Sequence, residues 1–207
     1  MANEYLTITE LKATLDMSGE TYADADMTAA ISTASRSIDS ICNRRFYPDP
    51  DANQVRYFSP ASMSLLYISD LITLTSFKSD SGGAQTYAET WTQNTDFVLE
   101  PINPKLYDGV LPEPWARVRL HPLSARWFPY QFPRSVQITG KFGWPAPPAE
   151  IKTATGIVAS KLLRRVRDAP FGIVSAGIDQ TAAMRVLATD PDVSVLVAPF
   201  MTRQLVA

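Results

Sequence analysis

The 207-residue chain contains a single cysteine and a single histidine. A lone Cys42 excludes an internal disulfide framework, and its place on an apolar helix face marks it as a small buried hydrophobe. His121, between a predicted strand and Pro122, has no second His or cysteine pair near it to complete a metal site, so no metal is expected. It would also have to serve as the base of any Ser-His or Cys-His pair, and no nucleophile-elbow motif accompanies it. Gly82-Gly83 lacks the Lys-Ser/Thr that completes a phosphate loop, and no cofactor is expected. No stretch approaches the ~18 apolar residues that span a membrane. Met1-Ala-Asn-Glu-Tyr5 lacks the basic start and apolar run of a secretory signal, so cytoplasmic synthesis and no membrane partner are expected. Basic excess is missing too: a net charge of -2 argues against a uniformly basic nucleic-acid binder.

What is present is an ordinary globular composition, 45% hydrophobic and 19% charged. That length and composition suit one domain, or one domain carrying an inserted subdomain. The charge is unevenly spread. Residues 1–40 hold two basic and seven acidic side chains, and residues 141–207 hold eight basic and five acidic. Opposite charge at the two ends suits head-to-tail contacts between copies as well as two differently solvated faces, and a head-to-tail interface that closes makes a ring.

Three segments before Gly172 read as helical. Thr7-Ile-Thr-Glu10 has capping-box spacing and opens a short helix near Thr9 that runs to Leu15. Asp24 and Asp26 are placed to cap a second, on which Met27, Ile31, Ala34, Ile38 and Ile41 form a stripe. Ala29, Ala30, Ser32, Ser35 and Ser37 keep much of its remaining surface small enough for another helix to approach. In the third, Ile151, Ala154, Val158, Leu162 and Val166 recur at helical spacing, with Glu150 in the first turn and Arg164, Arg165 and Arg167 in the last. That charge order matches the helix dipole. Before it, Trp144-Pro-Ala-Pro-Pro148 cannot be helix interior.

Between Pro48 and about residue 140 the pattern changes to short runs rich in Thr, Tyr, Val and Leu. Strands are predicted near Val55–Phe58, Leu65–Ile68, Leu71–Ser79, Ala84–Thr92, Asp96–Leu99, Ala116–Leu120 and Ser135–Thr139. Ser79-Asp-Ser-Gly-Gly83 is a hairpin turn, and Pro101, Pro104, Pro112 and Pro114 make the segment around them a loop. After Gly172, residues 173–179 read as a connection and Gln180–Leu187 as a short helix. Asp190-Pro191 then caps a short apolar helix whose Val193, Leu196, Val197 and Phe200 share a face that must dock, on its own core or on a partner.

Carboxylates could still converge in space to make an acid/base site, and Asp96, Glu100, Asp108 and Glu113 are the densest cluster. Each lies beside Pro, Gly or a strand end, where such residues serve turns and solvent. Arg44-Arg45 and Arg164-Arg165-Arg167 close helices and complement their dipoles. Repeated copies of them could also face phosphates.

Several pieces together resemble the head-tail connector, or adaptor, proteins of tailed bacteriophages. They are Tyr5-Leu-Thr-Ile-Thr-Glu-Leu-Lys12, Ser40-Ile-Cys-Asn-Arg-Arg-Phe46, Asp96-Phe-Val-Leu-Glu-Pro101 with Trp91 before it, and Ile138-Thr-Gly-Lys-Phe-Gly-Trp-Pro145. The helix ending in Arg164-Arg165, then Asp168-Ala-Pro-Phe-Gly172 and Asp190-Pro-Asp-Val193, completes the set, which spans nearly the whole chain. The resemblance implies a non-enzymatic neck component of the virion, assembled in the bacterial host cytoplasm. It implies a homo-oligomeric ring, typically of twelve copies, between the portal protein and a stopper or tail-terminator protein, with packaged dsDNA passing through the middle. It offers portal binding as the use of Val193, Leu196, Val197 and Phe200. It offers the DNA channel or subunit contacts as the use of Arg44, Arg45, Arg164, Arg165 and Arg167.

The expected fold is therefore α+β, a small helical bundle with an inserted β-rich subdomain. Residues 1–50 are expected to give the N-terminal helices, 51–140 the insertion, 141–187 the central helix and following loop, and 188–207 a C-terminal arm. Two other readings stand beside it. One is a small carbohydrate-active or peptide-processing enzyme with a carboxylate site in the β-rich part. The other is a helical DNA-binding regulator, which would need a basic recognition helix that the sequence lacks.

Overall fold

Thr7 and Glu10 form the capping box that their spacing predicts: Glu10 N donates to Thr7 Oγ1 at 3.2 Å, and Thr7 N donates to Glu10 Oε2 at 2.7 Å. The structure, a computed structural model, describes residues 3–15, 22–109, 111–168 and 190–202. The box opens α1 (Ile8–Leu15). The second helix, α2 (Asp24–Cys42), differs from expectation at its start. Its N-cap is Ala23, which makes no side-chain cap, and Asp24 and Asp26 lie in the first turn, where they favour the positive end of the dipole. It ends at Asn43, which takes the left-handed conformation (φ 51°) that Asn tolerates at a helix terminus.

The chain divides into two units, one from Met1–Arg45 with Pro147–Leu205 and the other from Phe46–Ala146. In the first, α2 packs against α3 (Ala149–Asp168). Met27, Ala30, Ile31, Ala34, Ile38 and Cys42 of α2 are buried, as are Ile151, Ala154, Val158, Ala159 and Leu162 of α3. The small residues make the close approach possible. Ser35 and Ser37, buried on α2, return their hydroxyls to Ile31 O and Thr33 O, each at 2.8 Å, so neither hydroxyl is stranded by its burial. Ile41, expected to extend the stripe, is only half-buried.

A short fourth helix, α4 (Pro191–Val197), runs into a 3₁₀ turn (Ala198–Phe200) and packs against α3. Asp190 is its N-cap as predicted, its side chain accepting from Asp192 N at 3.0 Å with Pro191 at the first helical position. The expectations for 173–179 and Gln180–Leu187 lie outside the described residues.

The second unit is an antiparallel sheet of eight-strand numbering in chain order: β1 (Gln54–Phe58), β2 (Leu65–Ser79), β3 (Glu89–Trp91), β4 (Phe97–Glu100), β5 (Leu106–Tyr107), β6 (Leu111–Pro112), β7 (Trp115–Leu120) and β8 (Val136–Phe142). The main sheet has the order β1-β8-β2-β7-β4, with β3 also on β2, and β5-β6 form a separate ribbon. The two runs predicted at Leu65–Ile68 and Leu71–Ser79 are one strand, because register shifts between Tyr67 and Leu71 and again after Leu71 and Leu74 absorb the break in alternation. The run predicted over Ala84–Thr92 is a strand only at Glu89–Trp91, and the proline-rich segment expected to be a loop holds the β5-β6 ribbon, with Pro112 where it has few ladder bonds to lose.

One face of the sheet carries the core: Leu66, Leu71, Phe77, Trp91, Phe97, Leu99, Val118, Phe128, Val136, Ile138 and Phe142. Phe77 stacks on Phe97 with ring centroids 4.5 Å apart, and Trp91 on Phe128 at 5.1 Å. Gly140 and Gly143 belong to the Thr139-to-Pro145 motif, and both are required by close approach. A Cβ on Gly140 would stand 2.2 Å from Thr73 O, and one on Gly143, whose φ is +102°, would stand 2.2 Å from Tyr47 O.

Candidate functional site

The carboxylates singled out from the sequence are engaged separately. Asp96 accepts from Thr92 N at 2.8 Å and faces Arg126 Nε at 3.6 Å. Glu100, at the end of β4, holds Arg119 at 2.6 Å and Arg117 at 3.5 Å. The Arg119 hydrogen bond keeps its carboxyl below the usual range, the opposite of what a general acid needs near neutral pH. Asp108 has φ 52° in the β5-β6 turn, and Glu113 N donates to Lys105 O at 2.8 Å. His121 follows β7, and its Nδ1 accepts from Leu123 N at 3.2 Å. Among the described residues no three His, Cys, Asp or Glu side chains are placed to hold a metal ion, and no helix is long and apolar enough to cross a membrane.

Arg44 is half-buried and Arg45 exposed just beyond α2, whereas Arg164 and Arg165 are exposed on α3. The side chain of Arg167 lies outside the described residues. Cys42, as expected, is fully buried, and burial pushes its thiol up to about 12.

The C-terminal face, expected to dock on its own core or on a partner, docks on its own unit. Val193, Val197 and Phe200 are buried, Leu196 is half-buried, and the segment is fixed at both ends. Lys161 of α3 pairs with Asp190, and Thr202 N donates to Cys42 O at 3.0 Å. The Lys161 hydrogen bond holds the Asp190 carboxyl below its ordinary range. The apolar side is thus the side by which the segment joins its own unit. Val195 (71% exposed) and Met201 (50%) are what it leaves open.

A feature that the sequence reading passed over is the outer face of the sheet. Side chains opposite the core on β2, β7 and β8 include Lys78, Arg117, Arg119 and Lys141, and the guanidinium of Arg134 lies 4.9 Å from the ring centre of Tyr57 on β1. The signal was present in Arg117-Val118-Arg119 and in Gly140-Lys141-Phe142, where charge alternates with core residues at strand period.

The class defined by this geometry is α+β: a helical unit assembled from the two ends of the chain, interrupted by an antiparallel sheet. No protein-family profile matches the chain, and no curated protein does. Among solved structures, the chain is similar to one in the neck of an empty gene transfer agent particle, computed with C6 symmetry. That similarity has a TM-score of 0.49 and 12% identity, covering 98% of this chain and 92% of the other. It is also similar to a chain from the virion of a native gene transfer agent particle, with a TM-score of 0.46 and 13% identity over 87% and 88% of the two chains.

Proposed function

We propose that the protein is a structural, non-enzymatic component of the neck of a phage-like virion, a connector that forms a ring between the portal and a stopper or tail-terminator protein. The observation that carries this reading is where the quoted motifs fall. Asn43-Arg-Arg-Phe46 stands where the chain leaves the helical unit, and Gly140–Pro145 precedes its return at Pro147. Pieces that resemble the connector family are therefore the joints of a helical body, which the resemblance implies, while the inserted sheet they frame is an addition to the all-helical plan.

In this reading twelve copies enclose the DNA channel, and assembly takes place in the host cytoplasm. Arg44, Arg45, Arg164, Arg165 and Arg167 are proposed to face the channel or a neighbouring copy. The segment carrying Val193, Leu196, Val197 and Phe200 is proposed to meet the portal, through its open side at Val195, Leu196 and Met201 while the buried three hold it in place.

The test is the mass of the purified protein alone and with portal protein, followed by end-on electron micrographs. Annular particles with a central opening are expected. A protein that stays monomeric with portal present and decorates no portal overturns the proposal.

A further inference from the structure

We propose that the outer sheet face of Phe46–Ala146 is a track for an elongated polyanion, the phosphate backbone of duplex DNA. This stands apart from the neck reading, since it concerns binding in solution whatever ring the chain enters.

The unit carries eight Lys/Arg and nine Asp/Glu, so it has no basic excess. The charges are nevertheless sorted. Lys78, Arg117, Arg119, Arg134 and Lys141 are gathered on the outer face, while Glu100 is the single carboxylate on the strands of that face, between Arg117 and Arg119. The other acidic residues lie elsewhere. Asp49, Asp70 and Asp80 are buried, Glu89 bonds Ser79 and Ser81, and Asp51, Asp96, Asp108 and Glu113 sit in loops and turns.

The cations also follow a line. Arg119 lies opposite Leu65 of β2, Arg117 opposite Tyr67, Lys141 opposite Thr73, and Lys78 is on β2 itself, beside the Gln137-Tyr57 pair that Arg134 covers. At about 3.3 Å per residue the track runs on the order of 40 Å along the contour of β2. Between the cations stand Thr73, Ser76 and Thr139, whose hydroxyls can donate to phosphate oxygens. Lysines are depleted from the centres of protein interfaces, and a line of cations separated by small hydroxyls matches a repeating anion better than a compact acidic patch.

The experiment titrates the full chain with a fluorescein-labelled 30-base-pair duplex of arbitrary sequence, from 50 to 200 mM salt. Binding is expected to weaken steeply with salt. Lys78→Ala with Lys141→Ala is expected to weaken it about tenfold and to lower the slope of log K against log salt by about 2, with unchanged thermal unfolding. Lys12→Ala with Lys152→Ala, in the helical unit where these lysines pair with Asp24 and Glu10, should leave both values as they are. Three results would overturn the proposal: no binding at 50 mM salt, an equal loss in that control, or a variant of Lys78 and Lys141 that changes the protein's oligomeric mass while DNA affinity stays the same. The last would make the face a contact between proteins.

Discussion

At Gly143 the backbone takes φ +102° while pressed against Tyr47 O, so both conformation and space exclude a side chain. Gly143→Ala is expected to cost at least 1–3 kcal/mol of strain, about the range for a residue forced into a sparsely populated region, and urea denaturation would read it as a lower midpoint. Titrating residues act in opposite directions. The Lys161 pair keeps the Asp190 carboxyl below 3.8, so its stabilisation is complete above that pH and is lost as pH falls through the folded-state value. Asp39 is the reverse: burial raises it above 3.8, against the Tyr5 hydrogen bond and the Arg36 charge, so its ionisation works against folding as pH rises through the window above 3.8. Asp190→Asn should therefore flatten the acid limb of a stability-against-pH curve. An unchanged acid limb would show that the pair contributes nothing there.

At the level of elements, α4 is held by three buried apolar side chains, a cap and the Thr202-to-Cys42 hydrogen bond. Phe200→Ala is expected to remove about 3–5 kcal/mol from its docking. The single thiol reports this: Cys42 should react with a disulfide reagent many times faster in the variant than in the parent chain. Equal rates would mean that the segment does not guard that end of α2. The helices were legible because period and caps agree: Thr7 with Glu10, the Met27-to-Ile38 stripe, and Asp190 before Pro191. The sheet was legible in its runs and poorly in its continuity. Leu65–Ser79 breaks alternation at its register shifts, and Ala84–Thr92 has strand-forming residues but pairs only at Glu89–Trp91. The placement of Val193, Val197 and Phe200 was invisible for a simpler reason: an apolar face tells that it is covered and not what covers it. The outer basic face escaped because its members are scattered in sequence and meet only through pairing.

For the whole molecule, each unit encloses its own buried set, and the sheet unit is one continuous piece of chain. Phe46–Ala146 expressed alone is expected to fold cooperatively, with a strand-type circular dichroism spectrum and one thermal transition. A spectrum without such a transition would show that its core needs the helices. The helical unit is different, since α2 finds its packing partner only in α3, which begins after the sheet has been completed. During synthesis roughly 110 residues separate Cys42 from Ile151, on the order of 5–20 s at ordinary elongation rates. Through that interval Met27, Ile31 and Ile38 lack α3, and the sheet is also open, because β8, the strand that joins β1 to β2, is made only at its end. The nascent chain thus carries an unclosed sheet and an orphan apolar helix together, a state that invites chaperones or pairing with a neighbouring nascent copy.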